Sequence, residues 1–146
     1  MTITPFDIAQ RFIGVKEVAG AVSNPLILAM LQLHDDWPKD DAVPWCSAFV
    51  NWIAWLLGLP PSNSLAARSW LAVGRSVTLE DAKIDSDIVV LEREGAGETG
   101  GHVGFFAGLE ARDSGEVVLV LGGNQHDAVN VSAFPRSRVL GVRRLA

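Results

Sequence analysis

Apolar residues in the first third of the chain recur at helical spacing. Phe6, Ile8, Ala9, Phe12, Ile13 and Val15 predict an amphipathic helix over residues 5–19, and Pro5 suits its first turn. Asn24-Pro25 opens a second helix with Leu26, Ile27, Met30, Leu31 and Leu33 as its apolar set. Residues 34–41, charged and broken by Pro38, read as a loop. Pro44-Trp45-Cys46 starts a third helix that runs to about Leu57 and stops at Gly58. It is apolar nearly all round, so burial is expected, with Trp52 and Trp55 as packing residues. Pro60 to Ser64 is a turn, and Ala66 to Val73 a short fourth helix ended by Gly74.

Beyond Gly74 the pattern changes. Asp87 to Leu91 is a short run rich in β-branched residues, and His102 to Ala107, Glu116 to Leu121 and Val139 to Leu145 are further strands. Gly95 to Gly101 is a glycine-rich loop, and Asp113-Ser114-Gly115 a hairpin turn. Helices first and antiparallel strands second indicate an α+β fold. There is no repeat or linker, so residues 1–146 are read as one domain.

Composition narrows the function. The net charge of −5 argues against nucleic-acid binding, which favours a basic footprint. The single cysteine excludes an internal disulfide and any metal site built on several thiolates. Residues 43–61 are the most apolar stretch, but Cys46, Ser47 and Asn51 interrupt it, and no membrane span is expected. The first residues lack a basic segment followed by an apolar one, so the expectation is synthesis in the cytoplasm without a signal peptide.

Cys46 is the first candidate for chemistry. A lone cysteine on an apolar helix is most often inert packing. Its place in a first turn changes the reading, because unpaired N–H groups and the positive end of the helix dipole favour the thiolate there. His102 opens a strand after Gly100-Gly101, where a substrate or another backbone can approach closely. A histidine at a strand end facing a helix start is what a Cys–His pair needs, the imidazole taking the thiol proton and returning it to the leaving amine. Asn124, after Leu121-Gly122-Gly123, is the candidate to orient that imidazole, with Gln125 and His126 as neighbouring competitors. Trp45 and Trp37 are candidates for lining a cleft, together with Gly101 and Gln125. Asp35, Asp36, Asp40 and Asp41 fit no calcium-loop spacing and read as a solvated acidic loop, so no metal is expected.

Taken together, Trp45-Cys46-Ser-Ala-Phe-Val-Asn-Trp52, Ala67-Arg-Ser-Trp-Leu71, Asp87-Ile-Val-Val-Leu91, Gly101-His-Val-Gly-Phe105 and Leu121-Gly-Gly-Asn-Gln125 resemble the CHAP and NlpC-type peptidoglycan hydrolases, in their compact bacterial and phage branch. The resemblance extends from about Ile13, through Glu17 and Gly20, to Arg144. It implies a papain-like fold, with the cysteine helix packed on an antiparallel sheet. It also implies cofactor-free hydrolysis of an amide bond in the peptidoglycan stem peptide, by an N-acetylmuramoyl-L-alanine amidase or an endopeptidase. Cys46 and His102 inherit the nucleophile and base roles. Many CHAP members carry a glutamate two residues before the asparagine, where this chain has Gly122, which leaves the third role between Asn124 and Gln125. The chain has no tyrosine to place near the thiol. Peptidoglycan as substrate implies delivery through a holin pore or a secretion apparatus, and an immunity protein as a candidate partner. The alternatives are an idle wall-binding module of the same fold and a thiol-dependent acyltransferase.

Overall fold

The computed structural model describes residues 2–20, 22–93 and 100–145. Helix α1, Pro5–Gln10, is shorter than its apolar pattern suggests. Thr4 and Asp7 close a capping box at its start. The chain leaves the helix through Gly14 (φ +100°) and runs beside the sheet, where Glu17 N–H donates to Asp127 C=O at 2.9 Å and Val129 N–H to Val15 C=O at 2.8 Å. Val15 therefore belongs to an edge pairing rather than to a helix face. Helix α2, Pro25–Leu31, is capped by the Asn24 side chain and buries Ile27, Met30 and Leu31.

Helix α3, Cys46–Leu57, ends at Gly58 in the left-handed conformation (φ +66°), as the sequence predicts. Its first two turns are buried. Farther along, Trp55 and Leu56 are exposed, and Trp55 lies against the half-buried Trp52 with ring centroids 5.3 Å apart. The helix is thus not buried all round. Its polar residues are anchors: Ser47 Oγ–H donates to Ser64 C=O and accepts the Trp70 indole N–H, while Asn51 Oδ1 accepts from Ser62 N–H. They pin the 58–64 turn and the 3-10 helix Ala67–Ala72 to α3, and this wall later borders the site.

The strands β1 (Arg75–Val77), β2 (Asp87–Glu92), β3 (Gly101–Arg112), β4 (Gly115–Gln125), β5 (Ala128–Pro135) and β6 (Val139–Arg144) form one antiparallel sheet in the order β1-β6-β2-β3-β4-β5. β1 and β5 are additions to the sequence reading. The predicted glycine-rich loop falls largely on residues 94–99, outside the described residues.

Both faces of the sheet are apolar. Ile88, Val90, Val103, Phe105, Leu121 and Val129 pack with the helices, whereas Val89, Leu91, Phe106, Val118, Val120 and Val142 form a second cluster on the opposite face. This fits the near-continuous apolar runs of β2 and β4, since burial on both faces removes polar alternation. Among the described residues no helix is long and apolar enough to cross a membrane.

Candidate active site

Cys46 is the first residue of α3 and His102 the second of β3, and both line a cavity of about 390 Å³. Trp45 sets the helix start against the sheet. Its ring is fully buried over Gly123, where a Cβ would come within 2.6 Å of the indole and 2.9 Å of Phe49 Cβ, so only glycine admits this close approach. The indole N–H donates to Glu17 Oε1 at 2.9 Å. Burial raises the Glu17 carboxyl pKa, and the indole bond opposes that shift.

The imidazole is held by Gln125. His102 Nε2 and Gln125 Oε1 are 2.9 Å apart. The Gln125 amide nitrogen donates to Val120 C=O, Asn130 C=O and Asn130 Oδ1 at 3.1, 2.8 and 2.9 Å. Asn130 is fixed in turn, its Nδ2 donating to Gln125 C=O at 2.8 Å and its Oδ1 accepting from Ser132 Oγ–H at 2.6 Å. With the carboxamide nitrogen committed to three acceptors, Oε1 must face the ring. This assigns the hydrogen to Nε2 and leaves Nδ1 with a free lone pair. Phe134 stacks against the imidazole with centroids 5.2 Å apart, fixing its plane.

Gln125, not Asn124, is therefore the residue bonded to the imidazole. β4 is irregular between Gly122 and Gln125, and Asn124 adopts φ +57°. Strict alternation along the strand would place Asn124 on the face of Gly122 and His102. One extra residue in a bulge reverses the facing of the residues beyond it and gives that position to Gln125. The next turn, His126-Asp127, has positive φ at both residues, as a type I′ hairpin requires. Asn124 still lines the cavity, with its carboxamide bonded to no described side chain.

Gly122 is part of the same arrangement. A Cβ there would lie 2.5 Å from Gln125 Oε1 and 3.4 Å from His102 Nε2. A side chain at 122 and the His102–Gln125 bond thus exclude each other. Gly122→Ala is expected to displace the Gln125 oxygen from His102 and, under the hydrolase function proposed below, to lower kcat/KM about 100-fold, the scale of misaligned acid–base catalysis. The melting temperature should fall as well, because the displaced oxygen belongs to a buried carboxamide held by Val120 and Asn130, so activity is compared per folded molecule. An unchanged kcat/KM would show that the bond does not matter to turnover.

Of the two tryptophans expected to line the cleft, neither does. Trp45 lies in the core beneath the site, and Trp37 is 61% exposed but outside the cavity lining. Gly101 and Gln125 do line it. Arg93 and Arg138 also line the cavity. Their positions just past β2 and just before β6 carry no local motif. The pairing of β2 with both β3 and β6 brings them to the mouth near His102.

The electrostatics differ from what a helix start alone suggests. Cys46 is 5% exposed, and burial pushes its thiol above the ordinary 9.0. The N–H groups of Val103, Ser47 and Cys46 itself and the charge of Arg93 oppose the shift without cancelling it. Burial also depresses His102 below its ordinary 6.5; the Gln125 bond works against this, and the Arg93 and Arg138 charges add to it. Desolvation outweighs these N–H bonds and charges, so burial favours the uncharged form of both the thiol and the imidazole. Among the described residues no group of three His, Cys, Asp or Glu side chains is placed to hold a metal ion.

The sequence matches no family model and no curated relative. The fold is similar to the structure of NlpC1 from Trichomonas vaginalis, with a TM-score of 0.59 and 15% sequence identity. The match covers 97% of this chain and 42% of that one, so the chain spans less than half the length of its structural neighbour.

Proposed function

We propose that this chain is a cysteine hydrolase of papain-like arrangement that cleaves an amide bond in the stem peptide of peptidoglycan, as an amidase or an endopeptidase. The observation that carries the reading is the 2.9 Å bond from His102 to Gln125, because it leaves Nδ1 as the free base in the cavity that Cys46 also lines. The NlpC-type fold supports the choice of substrate.

In this reading His102 Nδ1 takes the Cys46 proton as the sulfur attacks the stem-peptide carbonyl, and then protonates the leaving amine. The oxyanion is held by backbone N–H at the start of α3, including that of Cys46. Water, activated by the same imidazole, releases the acyl group. Gln125 keeps the ring in one tautomer, the task its fixed oxygen suits. The protein reaches the wall through a holin pore or a secretion apparatus, and in the latter case an immunity protein protects the producing cell.

The test is to digest purified sacculi and to read the fragment ends by mass spectrometry. New amine and carboxyl ends in the stem peptides are expected. No release of fragments, or new reducing sugar ends only, would refute the reading.

The shifts at Cys46 and His102 also fix a pH window. A histidine depressed below 6.5 keeps its basic form in more acidic solution, so the acid limb of kcat/KM is expected below pH 6.5. The same shifts set the sign of the stability changes. Below pH 6.5 the unfolded chain gains a proton that folded His102 resists, and above pH 9.0 it loses one that folded Cys46 retains. These two groups therefore leave stability undiminished between those values and lower it outside them. A pH series of kcat/KM and of melting temperature checks both, and an acid limb above pH 6.5 would contradict a depressed His102.

A further inference from the structure

The cavity differs in charge from the protein around it. The chain has 17 acidic and 12 basic residues, yet the described residues lining the cavity include Arg93, Arg138, His102 and His126 and no carboxylate. Arg138 is preset: its Nε–H donates to Glu92 C=O at 2.9 Å, and its guanidinium lies 5.6 Å over the Phe134 ring. These contacts occupy one N–H and one face, and leave the terminal nitrogens for another partner. Three other arginines at 112, 136 and 144 pair with glutamate or aspartate, whereas Arg93 and Arg138 have no acidic partner among the described residues. Both charges reach His102, where each opposes protonation of the ring. Two arginines left beside a base whose protonated form they disfavour suit a bound anion. The planar fork of arginine matches a carboxylate bidentately.

The geometry points to Arg93 and Arg138 as a carboxylate subsite that holds a free carboxylate of the substrate beside the amide to be cut. The inference rests on the proposed hydrolase reading and adds a specificity to it: the preferred substrate is a peptide acid rather than its amidated form. A bound carboxylate also offsets the two positive charges where imidazolium develops during acyl transfer, so binding and chemistry favour the same substrate.

The probes are the tetrapeptide L-Ala–γ-D-Glu–meso-diaminopimelate–D-Ala and the same peptide with every carboxylate converted to carboxamide. Binding of each to Cys46→Ala protein is measured by titration calorimetry at low and moderate salt. The acid peptide is expected to bind about tenfold tighter or more, the scale of one charge-assisted pair, and its advantage should shrink with salt. Arg138→Gln and Arg93→Gln should each reduce the preference several-fold, and Arg138→Lys should restore part of it. Melting temperatures identify any variant that fails to fold, in which case the other position carries the test. Equal binding of the two peptides, binding of neither, or a preference that survives both glutamine variants would overturn the subsite. The hydrolase reading fails separately. If the wild-type protein cuts neither peptide nor sacculi but Cys46→Ala prefers the acid, the subsite stands and the reaction does not; if it cuts both peptides equally, the reverse holds.

Discussion

Under the proposed hydrolase function, Cys46→Ala protein is expected to degrade sacculi at least about 10³-fold more slowly than wild type while remaining folded. In the proposed mechanism the loss comes from removing the nucleophile, while substrate binding and the proposed oxyanion contacts remain. Folding is spared because the change removes one buried sulfur, a loss of about 1 kcal/mol. His102→Ala should reduce activity on the same scale, since burial raises the Cys46 thiol and the proposed mechanism takes its proton with His102. The double variant should be little worse than either single one, because residues acting as a unit are not additive. Fragment release from sacculi and thermal unfolding, measured on the three variants, check all of this. Cys46→Ala protein that degrades sacculi at the wild-type rate would remove the thiol from the mechanism.

The second large effect concerns stability. Asp87 is fully buried at the start of β2, and Arg144 at the end of β6 donates to both of its oxygens at 2.8 Å. The carboxylate also accepts the Lys83 N–H at 2.7 Å, and Arg144 reaches Asp81 C=O. The pair therefore joins two sheet neighbours and the loop that precedes them. Asp87→Ala takes both carboxylate bonds from Arg144 and leaves the Lys83 N–H without its acceptor, while the partly exposed guanidinium keeps the Asp81 C=O. The variant is expected to lower the melting temperature by about 5 °C. Replacing both residues with apolar ones of similar volume should recover part of the loss, since it leaves no guanidinium without its carboxylate. A shift of one or two degrees in the single variant would show that water reaches Arg144 and solvates it. The site lies at the other end of β2 from Arg93, so activity per folded molecule should change far less than stability.

Much of this arrangement is legible in the sequence because it is set by local rules. The stop of α3 at Gly58, the Asn24 cap of α2 and the Asp113-Ser114-Gly115 hairpin depend on residues within a few positions of one another. So does the placement of Cys46 at a helix start and of His102 at a strand start. Where local signals competed with distant ones, the distant ones won. Residues 11–17 carry a helical pattern, but pairing with residues 127–129 draws them to the sheet edge, where Gly14 lets the chain turn.

The helix-then-strand order, the antiparallel class and the two residues that carry the proposed chemistry are thus written in the chain's own pattern. Which residue orients the imidazole, how the pair is charged and what surrounds it are properties of the folded molecule. A single-residue bulge exchanges Asn124 for Gln125, and nothing in the alternation of β4 marks where it falls. Arg93 and Arg138 stand 45 positions apart in the chain, and strand pairing brings them to one cavity. The helix start that favours a thiolate lies in a place where burial penalises the charge more strongly. Each of these depends on solvent exclusion or on contacts between distant segments, and such quantities exist only once the chain has folded.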